Sequence, residues 1–293
     1  MRFDPACIGP DVDAYFDKVE QAFPDIVPGT QKRVVWAGST GARTEWVVVY
    51  IHGFSATSEE IRPVPDRIAE ALGANLVFTR LAGHGRGSQA MAEATADAWM
   101  QDFAEAMAAA HQVGDKIIVI STSTGGTIVT ASSQDADVMQ GVAGLIFVAP
   151  NYGINNPLAP LLKWPLARHW LPWIGGRRRT FVARNDRHAE FWTLDYPSVA
   201  VMPMVPLIDQ VHALDHGKQT IPALFWFAEN DNIVLSDQIA SVARAWGGPK
   251  DIVNPVMGPE DDFENHVVVG DILSPGQTET AVAGMLDWIK GLM

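Results

Sequence analysis

A chain of 293 residues, 47% hydrophobic and 19% charged, is long enough to bury a sizeable core and has no low-complexity tract that would leave it disordered. Its 21 basic and 34 acidic residues give a formal charge of -13, which opposes attachment to nucleic acid or to an anionic membrane surface. A lone cysteine, Cys7, cannot form an intrachain disulfide, no apolar stretch nears the roughly 20 residues that span a bilayer, and residues 1–10 lack the basic-then-apolar order of a secretory signal; a cytoplasmic chain without stable membrane insertion is the expectation.

In residues 11–23, Tyr15, Phe16, Val19 and Phe23 recur at helical spacing and predict a short helix on the main body. Residues 34–36 and 46–51 are β-rich runs joined by the turn-like Gly38-Ser39-Thr40-Gly41, which reads as a hairpin. The second run, Val47-Val48-Val49-Tyr50-Ile51, is continuously apolar, as a strand buried on both faces must be. Thr57-Ser58-Glu59-Glu60 has the spacing of a capping box and predicts a helix running to about Leu72.

Residues 75–79 read as a strand, residues 81–87 as a glycine-rich loop, and Trp99, Phe103, Ala106, Met107 and Ala110 as one face of a long helix. Two more buried strands follow at 116–120 and 145–148, separated by a helix beginning near Gly126. Strands alternating with helices imply a parallel sheet with right-handed crossovers and helices on both faces. The alternation stops over residues 151–219, which hold four of the ten tryptophans (Trp164, Trp170, Trp173, Trp192) and several prolines, and resumes with a strand at 223–227, a helix at 236–246, a short strand near Ile252 and Val253, and a helix at 278–290. The expected organisation is an α/β core formed by residues 1–150 and 220–293, with residues 151–219 as an inserted cap.

The strand at 117–120 runs straight into Ser121-Thr122-Ser123-Thr124-Gly125-Gly126 and then a helix. A serine on such a sharp turn projects its hydroxyl above the sheet, and the turn closes only if the residues two before and two after are small. Ser123 meets this with Ser121 and Gly125; Ser121 does not, because Val119 would occupy the crowded place. Ser121 stands where a glycine is usual, one small residue for another. A serine-rich helix cap is the plain alternative for this motif taken alone.

With Ser123 in place, His52-Gly53-Phe54, Leu81-Ala82-Gly83-His84-Gly85 and Asn265-His266 together resemble the α/β-hydrolase superfamily, particularly its carboxylesterases and monoacylglycerol-lipase-like members, in the right order over nearly the whole chain. The resemblance implies a mostly parallel central sheet with helices on both faces and an inserted cap. It also implies that the backbone N–H groups of Phe54 and Thr124 form an oxyanion hole, each donor worth about 3 to 4 kcal/mol in the tetrahedral intermediate, and that His52 and His84 hold loops. In this fold the partners follow in the order serine, acid, histidine. Of eight histidines only His266 comes after residue 216, and it lies in a loop before the terminal helix. Asp231, in the loop after the strand at 223–227, matches the family's acid position; Glu229 is its nearest competitor, and Asp251 and Asp261 are less well placed.

The function implied is a serine hydrolase acting on small-molecule carboxylic esters with apolar acyl or alcohol groups, with no metal and no organic cofactor. Thioester cleavage, C–C bond hydrolysis or peracid formation would use the same three groups, and a non-catalytic ligand-binding member of the fold is a further alternative. Aspartate is usual at the elbow of dehalogenases and epoxide hydrolases, and serine stands here. Trp164, Trp170, Trp173 and Trp192 are candidates for substrate binding; Arg177, Arg178 and Arg179 read as a solvated basic turn or as a clamp for an acidic group. Oligomeric state is left open by the sequence.

Overall fold

The computed structural model describes residues 3–293; Met1 and Arg2, at the start of the stretch read for a secretory signal, lie outside the described residues. In chain order the main elements are α1 (Val12–Glu20), β1 (Arg33–Val35), β2 (Thr44–Ile51), α2 (Val64–Leu72), β3 (Asn75–Phe78), α3 (Ala96–Val113), β4 (Gly114–Thr122), α4 (Thr124–Ser132), β5 (Val142–Val148), α5 (Ala167–Ile174), β6 (Arg178–Thr180), α6 (Asp186–Phe191), β7 (Asp195–Pro197), α7 (Met204–Ala213), β8 (Ala223–Trp226), α8 (Ser236–Ala245), β9 (Lys250–Val253) and α9 (Thr278–Lys290). Seven strands make one sheet in the order β1-β3-β2-β4-β5-β8-β9, parallel throughout except for β1.

The continuous apolar runs account for the two layers of helices. Side chains along a strand point alternately to opposite faces. Val47, Val49, Ile51, Ile117 and Val119 enter one buried cluster with residues of α1, α3, α4, α7 and α8, while Val48, Tyr50, Ile118 and Ile120 enter the other with α2 and α9. Removing each such Val or Ile from water stabilises the fold by roughly 1.5 to 3 kcal/mol, so β2 and β4 hold the centre.

Two local expectations are corrected. β1 and β2 are not a hairpin: β1 pairs antiparallel with β3, Arg33 opposite Phe78, and β3 lies between them. The reason is that β2 takes parallel partners on both edges, β3 and β4, leaving β1 only the outer edge of β3, where Val35 is half exposed. Nor does Thr57 start a helix. Residues 58–63 form turns and α2 begins at Val64, because Pro63 pushes the residue before it out of the helical region. α2 ends as expected at Leu72, with Gly73 in the left-handed conformation at φ 60°.

The chain between β5 and β8 carries α5, the two-stranded β6–β7 ribbon, α6 and α7. α7 is packed into the main cluster through Leu207, Ile208 and Val211, and Trp192 joins the cluster on the other side. Of Arg177, Arg178 and Arg179, read as a solvated basic turn, the last two lie instead in strand β6, where Arg178 donates twice to Asp195 at 2.8 Å.

A buried ionic cluster ties α1 and α3 to the loop after β3. Arg80 donates from Nε and an NH2 group to both oxygens of Glu20, each at 2.8 Å, and from its other nitrogen to the His84 carbonyl at 3.0 Å. Lys32 pairs with Asp102 at 2.7 Å and with Glu105, and Asp102 also accepts the Ala82 N–H at 2.7 Å. Breaking one side of such a pair leaves an uncompensated buried charge. Glu20→Ala is therefore expected to lower the unfolding free energy by about 3 to 5 kcal/mol in urea titration; a loss below about 1 kcal/mol, the range of an exposed pair, would contradict that role for Glu20.

Candidate active site

β4 ends at Thr122 and α4 begins at Thr124, so the single residue Ser123 makes the reversal, at φ 49° and ψ -116°. A non-glycine residue at positive φ is held there by its surroundings. The Ser123 N–H donates to the Val148 carbonyl and its own carbonyl accepts from Asn151. Gly125 is the steric key: a Cβ there would lie 2.3 Å from the Ile51 carbonyl oxygen and 2.8 Å from that of His52. Ser121, fully buried, donates its hydroxyl to the Ile146 carbonyl at 3.3 Å, so its small polar side chain is satisfied beneath the turn.

Three loops at the C-terminal ends of the parallel strands meet at this serine. His266 Nε2 is 2.9 Å from Ser123 Oγ, and His266 Nδ1 is 2.8 Å from Asp231 Oδ2. Asp231 is fixed by its own loop, its Oδ1 accepting the N–H groups of Ile233 and Val234 at 2.7 and 2.8 Å. His266 follows Asn265, which sits at φ 54°, a conformation asparagine tolerates better than most side chains. Burial pushes the imidazole's pKa down, but the charge and hydrogen bond of Asp231, with Asp262 and Glu60 behind them, outweigh it and hold the pKa above its ordinary value.

The run His52-Gly53-Phe54 passes directly against the serine: a Cβ on Gly53 would stand 3.1 Å from Ser123 Cβ. Both peptides at Gly53 are pinned. His52 Nδ1 donates to the Gly53 carbonyl at 2.9 Å while His52 Nε2 accepts the Leu81 N–H at 3.1 Å. That bonding fits a neutral ring, and burial with the nearby His84 and Arg80 holds its pKa well below the usual histidine range. In a trans peptide the C=O and N–H point oppositely, so fixing the Gly53 carbonyl also fixes the Phe54 N–H. His84 bonds the Ala82 carbonyl at 3.1 Å and burial lowers its pKa to about 4. Neither ring contacts Ser123 through a hydrogen bond; both hold loops.

Ser123, His266 and Asp231 are thus brought together, with Phe54 and Thr124 bordering the serine. The competing carboxylates lie elsewhere: Glu229 is exposed, Asp251 accepts from Trp288 at 3.0 Å, and Asp261 knits its own loop through Gly258, Gly276 and Gln277. Of the four tryptophans, Trp164 and Trp173 lie exposed on the surface, Trp170 is half-buried with its ring N–H on the Pro165 carbonyl, and Trp192 packs edge-on against His188. The aromatic ring that the segment does lay on Phe54 is Tyr196, with centroids 5.2 Å apart, and Met204 Sδ lies 3.3 Å from the Thr124 hydroxyl. Arg177 stacks on Trp173, and Arg179 stands across the ribbon from Tyr196.

Sequence reasoning missed Asp262 and Glu60. Asp262 accepts the N–H groups of both His266 and Val267 and is bonded by Arg184 at 3.1 Å. Its signal was only an acidic residue four before the histidine. Glu60 accepts the Gly53 N–H at 2.6 Å and the Tyr50 hydroxyl at 2.8 Å. Among the described residues no group of three or more His, Cys, Asp or Glu is placed to hold a metal, and no helix is long and apolar enough to cross a membrane.

The architecture is the α/β-hydrolase fold, and the family model described as serine aminopeptidase, S33 (Hydrolase_4) matches residues 42–251; the chain belongs to that family of hydrolases. Similar solved structures include one of the metagenome-derived lipolytic enzymes LipS and LipT, at 17% identity and a TM-score of 0.73, covering 91% of this chain and 99% of the other. A monoacylglycerol lipase from Paleococcus ferrophilus, at 14% identity and TM-score 0.63, covers 90% of this chain and 100% of its own. A soluble variant of monoglyceride lipase from Saccharomyces cerevisiae, in complex with a substrate analog, matches at 12% identity and TM-score 0.66 over 92% of this chain and 98% of its own. A search of curated proteins by sequence found no match.

The turn at Ser123 tolerates no side chain at Gly125, since the obstructing atoms are backbone carbonyls. Gly125→Ala is expected to cost roughly 1 to 3 kcal/mol or more of stability by forcing α4 off β2. Thermal unfolding of the purified variant, with Gly38→Ala in open space as control, reads the difference; equal melting temperatures would contradict the steric account.

Proposed function

We propose that the protein is a serine hydrolase that cleaves carboxylic esters with apolar acyl or alcohol groups through an acyl-enzyme. The observation that carries this is the relay Ser123 Oγ to His266 Nε2 at 2.9 Å and His266 Nδ1 to Asp231 at 2.8 Å. His266 takes the serine proton as Oγ attacks the acyl carbonyl, and Asp231 orients and stabilises the imidazolium. The Phe54 and Thr124 N–H groups receive the developing oxyanion, Thr124 from the first turn of α4, where the helix dipole favours negative charge. The protonated imidazole then gives its proton to the leaving alcohol, and water repeats the cycle on the acyl-enzyme. No metal or organic cofactor takes part.

The lipolytic activity named for several similar structures supports an ester substrate. The family's description supports keeping amides in view, because the same three groups can hydrolyse them. A panel of nitrophenyl esters of rising acyl length, an acyl thioester and an aminoacyl nitroanilide, run beside fluorophosphonate labelling, separates these. Ser123→Ala is expected to lower turnover by about 10⁶ with the fold intact, and Asp231→Asn by up to about 10⁴, while Glu229→Gln stays near wild type. Full turnover in Ser123→Ala would remove the serine from the chemistry.

In the same reading, residues 151–219 form a cap on a core of residues 1–150 and 220–293, and it sets specificity. Four contacts support it: the Thr193 N–H donates to the Ser55 carbonyl at 2.7 Å, Tyr196 lies on Phe54, Met204 lies on Thr124, and Arg184 bonds Asp262. An acyl chain passing between Tyr196, Met204 and Phe54 would gain about 0.8 kcal/mol per buried CH₂, or roughly four-fold per carbon until the space is filled. Tyr196→Ala and Met204→Ala are expected to flatten the chain-length profile of kcat/KM while keeping acetate turnover. An unchanged profile in both folded variants would place the acyl group elsewhere.

A further inference from the structure

Glu60 is a carboxylate enclosed beside the serine that the mechanism above does not use. It is buried, and its Oε2 accepts the Gly53 N–H at 2.6 Å and the Tyr50 hydroxyl at 2.8 Å, while Tyr50 in turn lies 3.0 Å from the Thr122 hydroxyl, one residue before Ser123. The Oε1 oxygen stands 2.7 Å from where a Gly53 Cβ would be, on the same side as Ser123 Cβ. Among the described residues no cation pairs with it, in contrast to Glu59 next door, whose carboxylate faces Arg62, Arg33 and Arg187. A carboxylate buried with only neutral donors is costly and is kept ionised by whatever positive charge comes near.

We infer that Glu60 is a positioning residue for the proposed reaction: it holds the peptide before Gly53 so that the Phe54 N–H stays aimed at the oxyanion, and its negative charge supports His266 while that ring carries the serine's proton. The first role follows from the pinning of both peptides at Gly53, one by Glu60 and one by His52. The second follows from position. Asp231 bonds the imidazole at Nδ1 and Asp262 holds its backbone, while Glu60 Oε1 and Ser123 Cβ lie together against Gly53 and Ser123 Oγ is 2.9 Å from His266 Nε2. The proton that leaves Ser123 stays on His266 until the leaving group takes it, and above about pH 7 Glu60 remains ionised throughout.

The charged and titratable groups around Glu60 are Tyr50 on β2, His266 and, beyond it, Asp231 and Asp262; Glu59 is turned away into its arginine pairs. Burial raises the Glu60 carboxyl to about 7, against the lowering effect of its bonds from Gly53 and Tyr50 and of His266. Ionised Glu60 in turn raises the pKa of His266. As pH falls through about 7, Glu60 takes up a proton and the support is withdrawn.

Glu60→Gln keeps an oxygen to accept from Gly53 and Tyr50 but loses the charge. With the proposed ester turnover as the assay, it is expected to lower kcat by about tenfold, equivalent to about 1.4 kcal/mol, with KM little changed. The acidic limb of its pH–rate profile moves to lower pH, because His266 without the second carboxylate loses its proton more readily. Tyr50→Phe removes a donor that favours ionised Glu60, so less of the second charge reaches His266 and its limb moves the same way, to lower pH, by a smaller amount. A purely structural role would lower turnover without moving either limb. NMR titration of the His266 imidazole in wild type and Glu60→Gln reads the same coupling without turnover, so it still decides the matter if no ester proves to be a substrate. A wild-type kcat and unmoved imidazole titration in Glu60→Gln overturns the inference; if that variant does not fold, an unmoved limb or imidazole titration in Tyr50→Phe overturns it.

Discussion

The rest of the site depends on one steric fact, the contact of the Gly125 backbone with the carbonyls of Ile51 and His52. α4 can lie this close to the end of β2 only because Gly125 has no side chain, and that closeness forces the whole change of direction into Ser123. The serine therefore projects from a point fixed by two strands rather than from a flexible loop. Because β2 supplies both the carbonyls that Gly125 approaches and the chain that continues into His52-Gly53-Phe54, the hydroxyl and the proposed oxyanion donors are set by the same packing. Precision at a reacting centre of this kind comes from rigid elements rather than from the side chains alone.

Charge is distributed around that rigid point in an orderly way. His266 is nearly enclosed, and an enclosed imidazole is ordinarily driven neutral; carboxylates on several sides reverse that and make it a stronger base. The two loop-holding histidines lack such neighbours and go the other way, toward permanent neutrality. His52 can thus serve as a fixed donor and acceptor, and His84 can pack edge-on against Phe54 at 5.6 Å without bringing a second charge near the serine. The same residue type does opposite work within one site, and the difference lies in whether a carboxylate faces the ring.

The strands were legible because burial on both faces leaves an unmistakable apolar run, as in Val47 to Ile51 and Ile117 to Ile120. Their neighbours were less so. Nothing local says that β1 lies against β3, since that follows from which strand edges remain once the crossovers are made. Ser123, His266 and Asp231, which the structure brings within hydrogen-bonding distance, were marked by small residues at an elbow, by chain order and by the end of a strand. Glu60 was concealed by its own sequence: Thr57 with Glu60 three residues on has the pattern of a capping box, but Pro63 delays the helix and turns the carboxylate inward. Asp262 had no pattern beyond its place four residues before the histidine, because its work is on backbone N–H groups, which every residue carries.

In the segment between β5 and β8, composition and contacts point to different side chains. Four tryptophans beside a catalytic candidate suggest a binding pocket, yet the larger exposed rings, Trp164 and Trp173, lie at the surface and Trp192 is absorbed into the core. What the segment sets against Phe54 and Thr124 is one tyrosine and one methionine, residues too ordinary to stand out in a sequence. Met204 belongs to α7, whose other side is locked into the main apolar cluster through Leu207 and Val211. Tyr196 belongs to the ribbon, held by Arg178 to Asp195 and by the Thr193 bond to Ser55. The two faces of the proposed acyl path therefore differ in kind. Movement of the ribbon would displace Tyr196 while leaving Met204 in place, so any opening along the proposed path lies on the Phe54 side rather than the Thr124 side.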